Sequence, residues 1–229
     1  MRIVALLPMK ANSERVPNKN FRDFCGKPLF RWVLDTLLSV EAIDQVVINT
    51  DAREKLAALG CVDSNRVLIR DRPMDICGDF VSMNEVIADD LRHVDADVYI
   101  QTHTTNPLLK LSSIESAIEQ YVLQARAGKI DSLFSVTKCQ ERLYDIDVTP
   151  INHDPDKLIR TQDLPPLFIE NSNFYLFSKS SFELTGTRIG NHPALFETKP
   201  YESTDIDTPD DWEMGEIVVA YLREKGVIT

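Results

Sequence analysis

The residues best suited to chemistry fall in four short segments of the 229-residue chain. The first, LPMKANSERVPNKNFRDFCGKP, spans 7–28 and carries Lys10, Ser13, Arg15, Lys19 and Asn20. Cations, a hydroxyl and exposed backbone N–H groups are what a polyphosphate needs. The spacing fits neither Walker A nor GxGxxG, so a solvated basic loop is the other reading. The second is Asp205-Ile206-Asp207. Carboxylates at i and i+2 on extended chain face one side, and paired hard oxygens suit Mg²⁺ shared with substrate phosphates. Acids also suit the start of a helix. The third joins Arg70-Asp71-Arg72-Pro73 to Asp79–Ser82. Arg72 and a hydroxyl at a helix N-terminus could read a base or a phosphate, while Ser82 is equally suited to capping. The fourth is QTHTTNPL, 101–108, where His103 either meets an acid or is a satisfied loop histidine.

These segments need a scaffold, and the surrounding pattern supplies one. Ile3–Pro8 is a continuous apolar run, as in a strand buried on both faces. Apolar residues at helical spacing over Leu29–Val40 predict a helix, with Pro28 in its first turn. Gln45–Asp51 reads as a strand, Ala52–Leu59 as a short helix stopped by Gly60, and Val67–Asp71 as a third strand. Ser82 with Glu85, and Ser112 with Glu115, each have capping-box spacing. They predict helices on either side of a strand at Asp97–Gln101, the second running to about Ala127 before Gly128. Leu133–Thr137 and Asn173–Phe177 return as strands. Thr208, Pro209, Asp210 and Asp211 open a last helix that Gly226 ends.

This alternation predicts an α/β fold, a mostly parallel sheet with helices on both faces. All four chemical segments then meet at the carboxyl edge of the sheet, where such folds bind ligands. The rhythm breaks over 139–170, a polar stretch with Pro150, Pro155, Pro165 and Pro166, the kind of long connection that serves function or an interface. The chain is expected to be one domain, 1–229, carrying that excursion.

Charge narrows the partners. The net charge is −11, yet residues 1–31 hold seven basic and two acidic residues, leaving −16 on the rest. An acidic chain repels a nucleic-acid backbone, and a basic leading segment favours a small anion. No apolar run reaches the ~20 residues of a membrane span. Cys25, Cys61, Cys77 and Cys139 lack CxxC or zinc spacing, so reduced thiols and a cytoplasmic location are expected.

PMKANSERVPNKNFRDFCGKPL resembles the opening motif of the sugar-acid cytidylyltransferases, the group of the CMP-sialic acid and CMP-Kdo synthetases. VVINTDA, RDRP…DFVSMNEVI, HTTNPLL, RTQDLPPLFIENSNFYLF and ESTDIDTPDDW resemble further segments of that family in order, over about residues 3–213. The acylneuraminate branch fits better, through 155–177 and the paired terminal Asp. The resemblance implies a Rossmann-like three-layer α/β/α nucleotidyltransferase fold. It implies transfer of CMP from CTP to a nonulosonate, a sialic-acid-like 2-keto sugar acid, with Mg²⁺ and release of pyrophosphate. Lys10, Lys19 and Asp207 would be catalytic; Lys10, Ser13, Arg15, Lys19, Asn20, Arg72 and Ser82 would hold the nucleotide. His103, Arg160, Gln162, Asn171 and Tyr175 would face the sugar, and Asp205 and Asp207 would bind the metal. The 139–170 excursion corresponds to the family's dimerisation region, so a homodimer is implied.

The chain departs from the family pattern at named positions. Lys10 replaces an Arg, Ala11-Asn12 replaces a glycine stretch, and Glu14 replaces a Lys. His103 stands where Gln is common, Asn106 replaces Ser, and Asn171-Ser172-Asn173 replaces Asn-Gly-Ala. Changes on the sugar side imply an acceptor other than plain N-acetylneuraminate. Another acceptor, such as a sugar phosphate or phosphonate, another NTP, or a weakly active nucleotide-binding homologue are the alternatives.

Overall fold

The computed structural model describes residues 1–228. Its strands are β1 (Ile3–Leu6), the short ribbon β2 (Asp23–Phe24) and β3 (Lys27–Pro28), β4 (Gln45–Thr50), β5 (Val67–Asp71), β6 (Val98–Thr102), β7 (Ser132–Cys139), β8 (Leu167–Phe177) and β9 (Pro193–Glu197). The helices are α1 (Leu29–Ser39), α2 (Arg53–Ala58), α3 (Met83–His93), α4 (Leu111–Arg126), α5 (Lys179–Thr185) and α6 (Pro209–Glu224). Seven strands form one sheet in the order β5-β4-β1-β6-β8-β7-β9. β8 runs antiparallel to both neighbours, and the other pairs are parallel.

The apolar run of β1 explains the three layers. Ile3 and Ala5 join a core with α1, α2 and α4, while Val4 and Leu6 join a core with α3 and α5. Alternate side chains feed both faces, so no position on the strand is left polar. A third cluster packs α6 against α1 and the β2–β3 ribbon, through Trp212, Val219, Leu29, Trp32 and Phe24. Phe24 sits edge-on to Trp32 at 5.9 Å and to Trp212 at 5.2 Å. Each such pair contributes about 0.5–1.5 kcal/mol beyond its burial. This cluster docks the start of α6, and with it Asp207, beside the first loop.

Several local expectations are revised. Pro28 is the N-cap of α1 rather than a first-turn residue. Ser82 caps α3 by accepting from the Asn84 N–H, without the return bond from Glu85. Ser112 lies inside α4, whose N-cap is Lys110. Its place is decided by the buried stripe Ile114, Ala117, Ile118 and Tyr121 rather than by a cap. At α6 the full capping box forms between Thr208 and Asp211. The sequence reading omitted α5, β9 and the first six residues of β8, which are exposed or half-buried at all but Ser181 and Phe182 and carry no strong apolar alternation. β7 and β8 therefore form an antiparallel pair whose far ends carry the excursion, with a bulge between Phe134 and Val136 that Ser172 enters at φ 58°.

Candidate active site

The loop after β1, the loop before α3, the loop after β6 and the entry to α6 enclose a cleft of about 340 Å³ at the carboxyl edge of the sheet. That volume suits a small ligand. Its walls carry Lys10, Ser13, Arg15, Lys19, Asn20, Arg72, His103 and Asp207, so eight of the anticipated residues meet in one place.

Lys19 is buried in a 3-10 turn (Lys19–Phe21) and reaches across to α6. Its Nζ donates to the Ile206 carbonyl at 2.7 Å and to Asp207 Oδ1 at 2.9 Å. Exposed Arg15 donates to the other Asp207 oxygen at 2.9 Å. Lys10 pairs with Asp79 at 2.8 Å across the mouth. Asn20 braces the loop from below: it donates to the Lys10 carbonyl at 3.0 Å and accepts from the Thr104 hydroxyl at 2.7 Å. Ala11 N–H is held by Asp51 at 2.6 Å. The loop that lacks the family's glycines is thus pinned at both ends of Lys10-Ala11 by side chains.

The two acids flanking Ile206 differ. Burial works against ionising Asp207, but the hydrogen bond and charge of Lys19, joined by Arg15, outweigh it and hold the carboxyl below its usual range. Asp205 is pushed up, first by burial, with a bond from Thr105 opposing and the Asp207 charge adding. Its Oδ1 is buried without a hydrogen-bond partner. The Ile206 N–H donates to the Thr105 carbonyl at 2.8 Å, which locks this segment beside the β6 loop.

Arg72 leaves the end of β5 and is buried beside the cleft. Nε donates to Asn49 Oδ1 at 2.9 Å, and Nη2 donates to the Asn49 carbonyl at 2.8 Å and the Met9 carbonyl at 3.3 Å. Asn49 in turn donates to Asp90 Oδ1 at 2.8 Å and Asp89 Oδ2 at 3.2 Å, and Arg70 bridges both acids. Sequence reading did not reach Asn49, Asp89 or Asp90. An Asp-Asp pair in an apolar helix face beside a strand arginine was the available signal.

The remaining candidates sit elsewhere. Ser82 is exposed and committed to capping α3. Asn171 donates to Thr137 Oγ1, Thr198 Oγ1 and Ser203 Oγ at 3.0, 2.8 and 2.9 Å, tying β7, β8 and the chain before α6 together. Tyr175 is fully buried, and its hydroxyl donates to the Glu170 carboxylate. Burial first, with Glu170, pushes that hydroxyl up to about 12. Arg160 is exposed and forked onto Asp163 at 2.7 and 3.0 Å, with Gln162 beside it on the excursion; neither lines the cleft. Arg188, absent from the sequence reading, stacks on Tyr175 and bonds Gln101, behind His103. No motif surrounds it in TGTRIGNHP, so only the fold could reveal it.

Known proteins resemble this chain in sequence and fold. A model of the family described as "Cytidylyltransferase" covers residues 4–216. N-acylneuraminate cytidylyltransferase A of Danio rerio is 28% identical over 222 residues, which cover 93% of this chain and 50% of that protein. The chain thus spans about half the length of the first vertebrate relatives it matches. Pseudaminic acid cytidylyltransferase of Campylobacter jejuni is 23% identical and is matched over 98% of this chain and 99% of its own length. Among solved structures, CMP:2-keto-3-deoxy-manno-octonic acid synthetase complexed with CTP aligns with a TM-score of 0.67 at 15% identity, covering 96% of this chain and 99% of that one. The three-layer α/β architecture is that of these neighbours, and with the family match across nearly its whole length the chain belongs to the cytidylyltransferase family.

Proposed function

We propose that this chain transfers CMP from CTP to a nonulosonate, a 2-keto sugar acid of the sialic or pseudaminic type, and releases pyrophosphate. The observation that carries the reading is the convergence of Lys10, Arg15, Lys19 and Arg72 with the Asp207 carboxylate on one cleft. Relatives named for N-acylneuraminate and pseudaminic acid support the acceptor class. In the reaction, an acceptor hydroxyl oxygen forms a bond to the α-phosphorus. The bond from that phosphorus to the bridging oxygen breaks, pyrophosphate takes the electron pair, and the hydroxyl proton is lost. Such transfers need positioning and charge neutralisation more than covalent help. Lys10 and Lys19 would neutralise the phosphates, and Arg72, locked by Asn49, would hold the nucleotide.

Asp205 and Asp207 would hold Mg²⁺. The donor set fits: two hard carboxylates at i and i+2, one with an oxygen left unpartnered in the protein. Among the described residues no cluster of three or more metal-binding side chains exists, so water and phosphate would complete the shell. Bound there, Mg²⁺ supplies charge neutralisation and lowers the pKa of a coordinated hydroxyl. Arg15, exposed, is the Asp207 partner that yields its place.

The excursion would form a homodimer. Ile146 is 97% exposed and Val148 75%, with Ile151, Leu158, Phe168 and Ile169 also open to water. Arg160 and Gln162 would then serve a partner's cleft. No helix among the described residues is long and apolar enough to cross a membrane. The deciding experiment is a matrix of four NTPs against 2-keto sugar acids and sugar phosphates, with pyrophosphate release as readout. Turnover with CTP and a nonulosonate is expected. Preference for another NTP or a sugar phosphate would replace the reading, and CTP binding without turnover would make the chain a binding homologue.

A further inference from the structure

Behind His103 lies a polar cluster outside the residues that line the cleft. Gln101, near the end of β6, is fully buried and lies opposite Tyr175 of β8. Arg188, from the turn after α5, lies over the Tyr175 ring with Cζ 3.6 Å from its centroid, and Nη2 is 3.6 Å from Glu170 Oε1. Arg188 Nη1 donates to Gln101 Oε1 at 2.6 Å, and Gln101 Nε2 donates to the Thr102 carbonyl at 2.7 Å. Those two contacts fix the direction of the amide. Reversing it would set NH₂ against a guanidinium N–H and oxygen against a carbonyl.

The orientation decides the state of His103. Gln101 Nε2, a donor, lies 3.1 Å from His103 Nε2, and Arg188 Nη1, always a donor, lies 3.2 Å from the same ring nitrogen. Both donors have a hydrogen to spare after their other bond. Two donors on Nε2 leave that nitrogen no room for a proton, so a neutral ring must carry its proton on Nδ1. His103 lines the cleft with Lys19, Thr104, Thr105 and Asp207. We propose that Gln101 and Arg188 are positioning residues that lock His103 as a neutral imidazole with its proton on Nδ1, presenting a fixed hydrogen-bond donor to an oxygen of the acceptor molecule. Only the identity of the bound molecule rests on the transfer reading above; the state of the ring does not.

The charged surroundings agree with the geometry. Burial first and then the Arg188 charge pull the His103 pKa down to about 3, with Lys19 adding and Asp207 opposing. Glu170 and the Tyr175 hydroxyl face Arg188 and each other. With its Nε2 lone pair occupied, His103 is a donor that does not titrate at neutral pH, not a general base.

The chain has four histidines, which makes side-chain ¹⁵N NMR on the full chain practicable. We expect His103 to show protonated Nδ1 and bare Nε2, unchanged from about pH 5 to 8. A proton on Nε2, or titration near the ordinary value of about 6.5, would overturn the proposal. Gln101→Glu replaces a donor by an acceptor of the same shape, so the ring should gain a proton on Nε2 and its pKa should rise by about two pH units or more. Arg188→Met should raise it by about one. An unmoved ring in both variants would also overturn it, and the wild-type spectrum stands alone if a variant fails to fold. With the acceptor that turns over, both variants should raise its KM about tenfold while the KM for CTP stays within about twofold. Equal rises in both constants would refute the acceptor-facing role. Failure of every acceptor would remove the transfer reading, while the protonation state of the ring, read by NMR, would still stand or fall by itself.

Discussion

Lys19 Nζ lies 2.9 Å from Asp207 Oδ1, although 188 residues separate them. The pair joins the basic loop after β1 to the entry of α6, and it concentrates both the local positive charge and the acidic partner at one wall of the cleft. Asp207→Asn keeps the shape and a hydrogen-bond acceptor for Lys19. It should lower kcat by roughly 10²–10³-fold, the effect of losing a preorganised charge contact. Stability should fall by no more than about 1 kcal/mol, because the carboxylate is 39% exposed and well screened. Steady-state kinetics beside chemical denaturation check both halves. Wild-type activity in this variant would remove Asp207 from the reaction.

The proposed nucleotide contact of Arg72 depends on Asn49, which holds its guanidinium. The Asn49 amide is oriented by an arginine on its oxygen and two aspartates on its nitrogen. Asn49→Ala should therefore weaken CTP binding by about tenfold or more, from one to three kcal/mol of lost and unpaired hydrogen bonding. Calorimetric titration with CTP measures it. The acceptor KM should change far less, since the side-chain bonds of Asn49 run to Arg72, Asp89 and Asp90 and not to the residues proposed to face the acceptor. Equal losses on both substrates would mark a general loss of structure.

Asp90 gives the fold a pH signature. Burial is the largest influence on it, and despite Asn49 and Arg70 its carboxyl is pushed up to about 6. In the unfolded chain an Asp titrates near about 3.9. Between these values the folded state binds more protons, so this group lowers stability as pH rises through that window. The depressed Asp63, Asp207 and Asp211 act in the opposite sense at lower pH. Comparison with Asp90→Asn isolates the effect. Wild type should lose stability relative to the variant between about pH 4 and 6.5, read by guanidinium denaturation at each pH. A constant difference across that range would show that Asp90 does not titrate there.

How much of this was legible follows from what each residue does. The central strands and α1 were readable because burial writes itself as apolar runs and helical spacing, as in Ile3–Leu6 and Leu29–Ser39. The cleft lining was readable because Lys19, Arg72 and Asp207 follow strand ends or precede a helix, and topology alone brings those ends together. Ser112 misled because a local capping pattern was overridden by the apolar stripe of α4. Asn49, Gln101 and Arg188 were opaque for a different reason. They are polar groups buried inside strands or placed in an unpatterned turn, and each has a decisive partner far along the chain: Arg72 lies 23 residues from Asn49, and Arg188 lies 87 from Gln101.

The exposed apolar side chains of the 139–170 excursion should hold two copies together. Ile146 and Val148 lie at its bridge between Tyr144 and Pro150, and such exposure in one segment marks an interaction surface. Light scattering at micromolar concentration should give a dimer mass, and Ile146→Asp with Val148→Asp should give a monomer that melts as a folded chain. A monomer from the unaltered chain would exclude this surface as a dimer contact.

Gly215 tests how closely packing behind the site controls Asp205 and Asp207, the acids proposed to hold Mg²⁺. It sits in the interior of α6, where glycine costs about 1 kcal/mol relative to alanine. A Cβ there would lie 2.7 Å from Ile206 Cδ1 and 3.0 Å from Phe24 Cζ. Ile206 is fully buried and separates Asp205 from Asp207, so pressure on its side chain bears on the segment that carries both acids. Gly215→Ala sets the helix gain against about 1–3 kcal/mol of overpacking. The second term should win, giving a lower Tm and a drop in kcat larger than any change in the KM for CTP. Gly215→Ala combined with Ile206→Val, which removes the clashing methyl, should restore both. A more stable and fully active Gly215→Ala enzyme would show that the Asp205–Asp207 segment tolerates movement, and that α6 packing does not set the geometry of the acids.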